Sequence, residues 1–143
     1  MRVLGIDYGQ KRLGLALSDE EGILASPLDP YSRRILDEDL DFLAALAKEK
    51  QVRQIVVGLP RNMNGSLGEM AKEVLAFVAT LKEKIHIPAV TFDERLSSTE
   101  AERVLIQADL SRKRRKTLRD GLAAVLILQG YLETLNRKEK PSP

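Results

Sequence analysis

Cysteine is absent from this sequence and histidine occurs once, at His86. Without cysteine there is no disulfide framework, no thiolate zinc site and no cysteine nucleophile. A single histidine makes a His-Asp-Ser triad or a multi-histidine metal centre hard to build, and His86, following "KEKI", reads as a surface or interface side chain. Aromatic residues are only 4% of the chain, so platforms for stacking unpaired bases are scarce. No apolar run approaches the roughly 18 residues that a membrane helix requires, and the N-terminus lacks the charged, then apolar, then small-residue order of a secretory leader. A soluble, cytoplasmic protein with no membrane partner is expected. Its chemistry must rest on carboxylates, hydroxyls and basic groups.

The 143 residues suit one domain with a core of its own. Residues 1–137 are assigned to that domain and 138–143 to a flexible tail. The net charge is only +2, but it is unevenly placed: "LDEDLD" (36–41) is acidic, whereas "SRKRRKTLR" (111–119) carries six basic side chains and no acid.

Three short apolar or alternating runs, "RVLGID" (2–7), "RLGLALSD" (12–19) and "GILASPL" (22–28), are separated by turns and read as an antiparallel meander. "ILDEDLDFLAALAKEKQ" repeats its apolar residues at helical spacing. The β-branched run "QIVVGLP" (54–60) reads as a buried strand. In "SLGEMAKEVLAFVATLKEKI", Ser66 and Glu69 have capping-box spacing at a helix start. "IPAVTFDE" (87–94) follows as a strand, and "LSSTEAERVLIQADL" as a helix with a second such pair, Ser97 and Glu100. The basic segment reads as a loop before an apolar final helix that carries Asp120 at its entrance, and "NRKEKPSP" as a frayed end.

The order β-β-β-α-β-α-β-α-α predicts an α/β fold with a mixed five-stranded sheet. Three antiparallel strands come first, then parallel strands joined by right-handed helical crossovers, with helices flanking the sheet. Ligands of such sheets collect beyond the carboxyl ends of the parallel strands. Asp7, the "GLPRNMNG" loop and "DER" all fall there.

Asp7, Glu94 and Asp120 are thus the acids with reason to converge. Like-charged carboxylates repel, and a divalent cation relieves the repulsion; hard oxygen donors suit Mg²⁺ or Mn²⁺. Such ions support phosphodiester hydrolysis without a histidine base. Lys11, Arg12, Arg95, Arg112, Lys113, Arg114, Arg115 and Lys116 are candidate phosphate contacts. Asn62 and Asn64 could hold a nucleic-acid backbone or only shape a turn. Each acid also has a plainer role: a turn residue at Asp7, a surface ion pair at Glu94, a helix-dipole partner at Asp120.

Four stretches in order, "GIDYGQKRLGLA", "IVVGLPRNMNGS", "FDERLSSTEA" and "KRRKTLRDGLAAVLILQGYLE", resemble the bacterial Holliday-junction-resolvase-like family (YqgF/RuvX type), provisionally regarded as pre-16S rRNA nucleases with the RNase H-like fold. The resemblance spans nearly the whole chain. Ser98 and Ser66 stand where threonine is more usual, and Gly121 takes a variable position. The resemblance implies a hydrolase, a metal-dependent nuclease with Asp7, Glu94 and Asp120 as catalytic and metal-binding residues. It implies Mg²⁺ or Mn²⁺ as cofactor and structured nucleic acid as partner, either pre-16S rRNA cut at its 5′ end or branched DNA, and it allows a homodimer. Two other classes stay open: an ATP-handling relative, for which 143 residues supply only one of two lobes, and a non-catalytic RNA-binding assembly module.

Overall fold

In a computed structural model, residues 1–62, 64–96 and 112–139 are described; for 112–120, 138 and 139 the description is of the backbone alone. Strands β1 (Arg2–Asp7), β2 (Arg12–Ser18) and β3 (Ala25–Ser32) form the meander, followed by helix α1 (Leu36–Glu49), β4 (Val52–Leu59), α2 (Glu69–Lys84) and β5 (Ala89–Asp93). A single 3-10 turn (Glu94–Leu96) follows β5, and helix α3 spans Arg112–Glu139. The sheet order is β3-β2-β1-β4-β5, with β1 antiparallel to β2 and parallel to β4, and β4 parallel to β5. This is the expected mixed five-stranded sheet.

The two-residue alternation of the strands divides their side chains between two cores. Leu4, Ile6, Ile55, Val57 and Leu59 face α1 and α2, meeting Leu43, Val74, Phe77 and Leu81. Val3, Val56 and Phe92 face α3, meeting Ala124, Val125, Ile127 and Leu128. The α3 face is narrow because the strands there carry glycine. A Cβ on Gly5 would lie 2.7 Å from the Leu128 Cβ, so the helix approaches the sheet backbone more closely than any side chain allows. Leu128 is fully buried by that approach, a burial that stabilises the fold by about 1.5–3 kcal/mol.

Several local expectations are corrected. The third strand runs over Ala25–Ser32, not residues 22–28, and carries Pro27 and Pro30. It is an edge strand, where a missing amide hydrogen is tolerated. The capping box at Ser66 and Glu69 does not form: Gly68 is the N-cap of α2, with no side-chain cap bond, and the Ser66 hydroxyl donates to Asn64 Oδ1 at 2.6 Å. The basic residues 112–116 are the opening turns of α3, not a loop. Lys and Arg are good helix formers, and neither Gly nor Pro interrupts them. The same helix continues through Glu139, past the expected start of the frayed end, and Asn136 Nδ2 donates to the Gly22 carbonyl at 3.3 Å. The helix expected from Ser97, with its Ser97–Glu100 pair, lies outside the described residues, as do residues 140–143.

Candidate active site

Asp7 ends β1, and the register Ile6↔Val57 sets it beside Gly58 of β4. Gly58 pairs in turn with Phe92, and Leu59 with Asp93, so the end of β5 and the Glu94 that follows come up on Gly58's other side. The absent side chain at Gly58 leaves the space between the two acids. A Cβ there would lie 2.7 Å from Glu94 Oε1 and 2.4 Å from Ile127 Cδ1. Asp7 belongs to the sheet face that α3 covers, and its Oδ2 lies 3.6 Å from where a Cβ on Gly14 would stand.

Burial raises the Asp7 carboxyl above its ordinary value of 3.8. Glu94 is also raised, first by burial and then by the negative charges of Asp7 and Asp93. Two half-buried carboxylates that each resist ionisation thus flank Gly58, and hard oxygen donors of this kind fit a divalent cation. Among the described residues no group of three metal-binding side chains comes together. The third expected acid, Asp120, stands on α3 one turn before Ala124, which packs beside Gly14 next to Asp7. The described structure gives its backbone position only.

Asp93 is differently employed. Arg95 grips it through Nε and Nη2, the latter at 2.7 Å, and Arg61 Nε lies 3.7 Å away. The Arg95 contacts, followed by the Arg61 charge, hold its carboxyl below the usual range despite some desolvation. Arg95, expected to contact phosphate, is thus anchored on a neighbouring acid while remaining partly exposed. Lys11 and Arg12 are exposed on the turn and the first residue of β2. Asn62 and Asn64 shape their own loop: Asn62 Nδ2 donates to Ser66 Oγ at 3.0 Å, and Asn64 Oδ1 accepts from the Ser66 amide. His86 is exposed at the far end of the sheet, beside the start of β5.

Helix α3 passes Leu128 against Gly5 and Ala124 against Gly14, so its N-terminal end points toward the carboxyl end of β1. Residues 112–120 continue in that direction for about 13 Å at 1.5 Å per residue. The backbone of the basic segment therefore extends beyond the strand ends where Asp7 and Glu94 lie. Two residues escape the sequence reading. Arg61 shares the loop with Asn62, and its place between Pro60 and Asn62 was the available signal. Arg33 donates to the Gly9 carbonyl just beyond Asp7, and nothing near it in sequence announces that.

Residues 1–134 match the family profile RuvX, described as Holliday junction resolvase. A protein of Syntrophomonas wolfei is 52% identical over 93% of this chain and 94% of its own, and one of Desulforamulus reducens 48% identical over 94% and 98%. Both carry the provisional name of pre-16S rRNA nuclease. The solved structure of Thermus thermophilus RuvC in complex with Holliday junction substrate superposes with a TM-score of 0.65 at 14% identity, covering 99% of each chain. The fowlpox virus resolvase, solved with Holliday junction DNA, gives 0.53 at 10% identity, covering 94% of this chain and 99% of that one. These likenesses establish the RNase H-like resolvase fold.

Proposed function

This chain belongs to the RuvX family of Holliday junction resolvases, and from that we propose that it is a divalent-metal-dependent phosphodiesterase that cuts structured RNA, trimming the 5′ end of pre-16S rRNA. The observation that carries the reading is the pair Asp7 and Glu94. Strand pairing brings the two acids to either side of Gly58, where burial raises both carboxyls and the Asp7 charge raises Glu94 further. The choice of RNA leans on the names of relatives about half identical over nearly their full length.

Asp7 and Glu94, joined by Asp120, would hold Mg²⁺ or Mn²⁺. When bound, such an ion supplies positive charge that draws electron density from the phosphate and makes an attacking water more acidic. The chain's own residues do the rest. Asp7 and Glu94 would fix the cutting position at the carboxyl ends of the parallel strands, and Gly58 keeps room between them. Arg95 and Arg61, already oriented by Asp93, present remaining guanidinium donors toward a phosphate at the rim. Lys11, Arg12 and residues 112–116 supply the surrounding cationic field, which favours backbone and shape over base identity. Hydrolysis adds water across one P–O bond, leaving one phosphate end and one hydroxyl end.

The test is cleavage of a pre-16S rRNA fragment and a four-way DNA junction side by side with Mn²⁺ or Mg²⁺. RNA cutting that disappears in Asp7→Asn, with folding intact, is expected. Binding without cutting in both proteins would instead make the chain an assembly module. Preferential cutting of the junction is the second reading, favoured by the family's own description. A junction offers two equivalent strands, so that reading also requires two copies of the chain acting together.

A further inference from the structure

The turn that follows Asp7 is fastened from the opposite face of the sheet. Arg33 Nη1 donates to the Gly9 carbonyl at 3.1 Å while its Nε donates to Asp39 Oδ2 at 3.0 Å. The guanidinium carbon lies 4.8 Å from the Tyr8 ring centre and 5.5 Å from that of Phe77, and the two rings lie 5.1 Å apart. Asp39 is fully buried and is fixed by the Arg34 amide at 2.8 Å. Burial alone would raise its carboxyl, but the bonds from Arg34, Arg33 and Tyr31 outweigh this and keep it ionised.

We propose that Arg33 is a positioning residue: by tying Tyr8 and Gly9 to the α1–α2 side of the sheet, it holds the Asp7 carboxylate in line with Glu94 for metal binding. The proposal rests on the carboxylate reading given above. Alternation sends Tyr8 to one face and Asp7 to the other, so a pull on Tyr8 and Gly9 sets where the Asp7 side chain emerges. Only an arginine can do this here. A planar fork reaches two acceptors at once and lies against aromatic faces, whereas a lysine ammonium serves as a single point. Were Arg33 only a partner for buried Asp39, it would have no need to reach the Gly9 carbonyl.

Removing Arg33 alone leaves Asp39 buried without its charge, so the informative variant replaces both, Arg33→Met with Asp39→Leu. Mn²⁺ binding is followed by electron paramagnetic resonance of the free ion. Amide exchange at Tyr8 to Lys11 is measured in the metal-free protein. In the double variant the Mn²⁺ dissociation constant should rise about tenfold or more, the range found when groups supporting a ligand are lost. The Tyr8 to Lys11 amides should exchange faster, and kcat should fall while KM for RNA stays within about twofold. If the double variant fails to fold, Arg33→Lys, which keeps the charge and the Asp39 pair, should show the same changes at smaller amplitude. Wild-type Mn²⁺ affinity in a folded variant, with Asp7→Asn having lost it, would overturn the role of Arg33 alone. Failure of the wild type to bind Mn²⁺, or equal binding by Asp7→Asn, would remove the carboxylate site and this proposal together.

Discussion

Replacing Gly58 with alanine tests how much the site depends on an empty position. The new Cβ would stand 2.4 Å from Ile127 Cδ1, 2.9 Å from Ile127 Cγ1 and 2.7 Å from Glu94 Oε1. The Ile127 contact is overpacking in a buried layer and should cost about 1–3 kcal/mol. For a domain of this length that lowers Tm by about 3–9 °C. The Glu94 contact has a different consequence: the carboxylate oxygen must retreat about 0.7 Å to regain an ordinary 3.4 Å separation. Ligand distances in a metal site tolerate only about 0.2 Å. A second change, Ile127→Val, deletes the Cδ1 methyl and removes the shortest clash without touching Glu94. Gly58→Ala is therefore expected to lose both stability and Mn²⁺ binding, and the pair with Ile127→Val, which keeps the 2.9 Å Cγ1 contact, to recover part of the Tm but not the binding. Thermal melts and Mn²⁺ titration of the three proteins decide the matter. Full Mn²⁺ affinity in the recovered double variant would refute the claim that Glu94 must stay where the glycine leaves it.

Other consequences are separate. Because Asp7 has a folded pKa above its ordinary 3.8, its contribution to stability is complete below that value and is lost as pH rises through the raised pKa. Asp7→Asn should thus melt higher than wild type at pH 7 without metal, and the advantage should vanish on acidification below about pH 4; an equal gap at both pH values would contradict the burial described. Asp39→Ala strands the Arg33 guanidinium in a half-buried position and should cost about 3–5 kcal/mol by chemical denaturation; a loss under about 1 kcal/mol would place the pair among surface contacts. Arg114→Ala with Arg115→Ala should weaken RNA binding and flatten its salt dependence by about two units of slope at most, with melting unchanged. A retained slope would take the basic turns of α3 out of the nucleic-acid contact.

The sheet was legible because β-branched runs such as "QIVV" and the Gly-containing turns leave few alternatives, but the crossover rule sets only the hand of the connection, and the place of β4 beside β1 comes from the fold. Strand ends alone were the reason to expect Asp7 near Glu94, and the two stand on either side of Gly58; for Asp120, the third acid of that expectation, only the backbone is described. What could not be read was set by partners far off in the chain. The prolines of β3 look like breakers until the strand is known to lie at an edge. Ser66 has the spacing of a cap, but Asn62 and Asn64 compete for its hydroxyl and win. Residues 112–116 read as a solvated loop from charge, while their propensity favours the helix that the apolar turns behind them nucleate. Arg33 gave no local sign, since its meaning depends on Tyr8, Gly9 and Phe77, which only the folded sheet and α2 assemble around it.

Proline at positions 27 and 30 also bears on how copies of the chain can meet. Two of the eight β3 residues carry no amide hydrogen, so this border offers an interrupted row of donors to any strand arriving from outside. Growth of the sheet from one molecule into the next is discouraged on that flank. A pairing of two molecules around a symmetrical nucleic acid would therefore be built from surfaces other than the β3 margin, which is left to water.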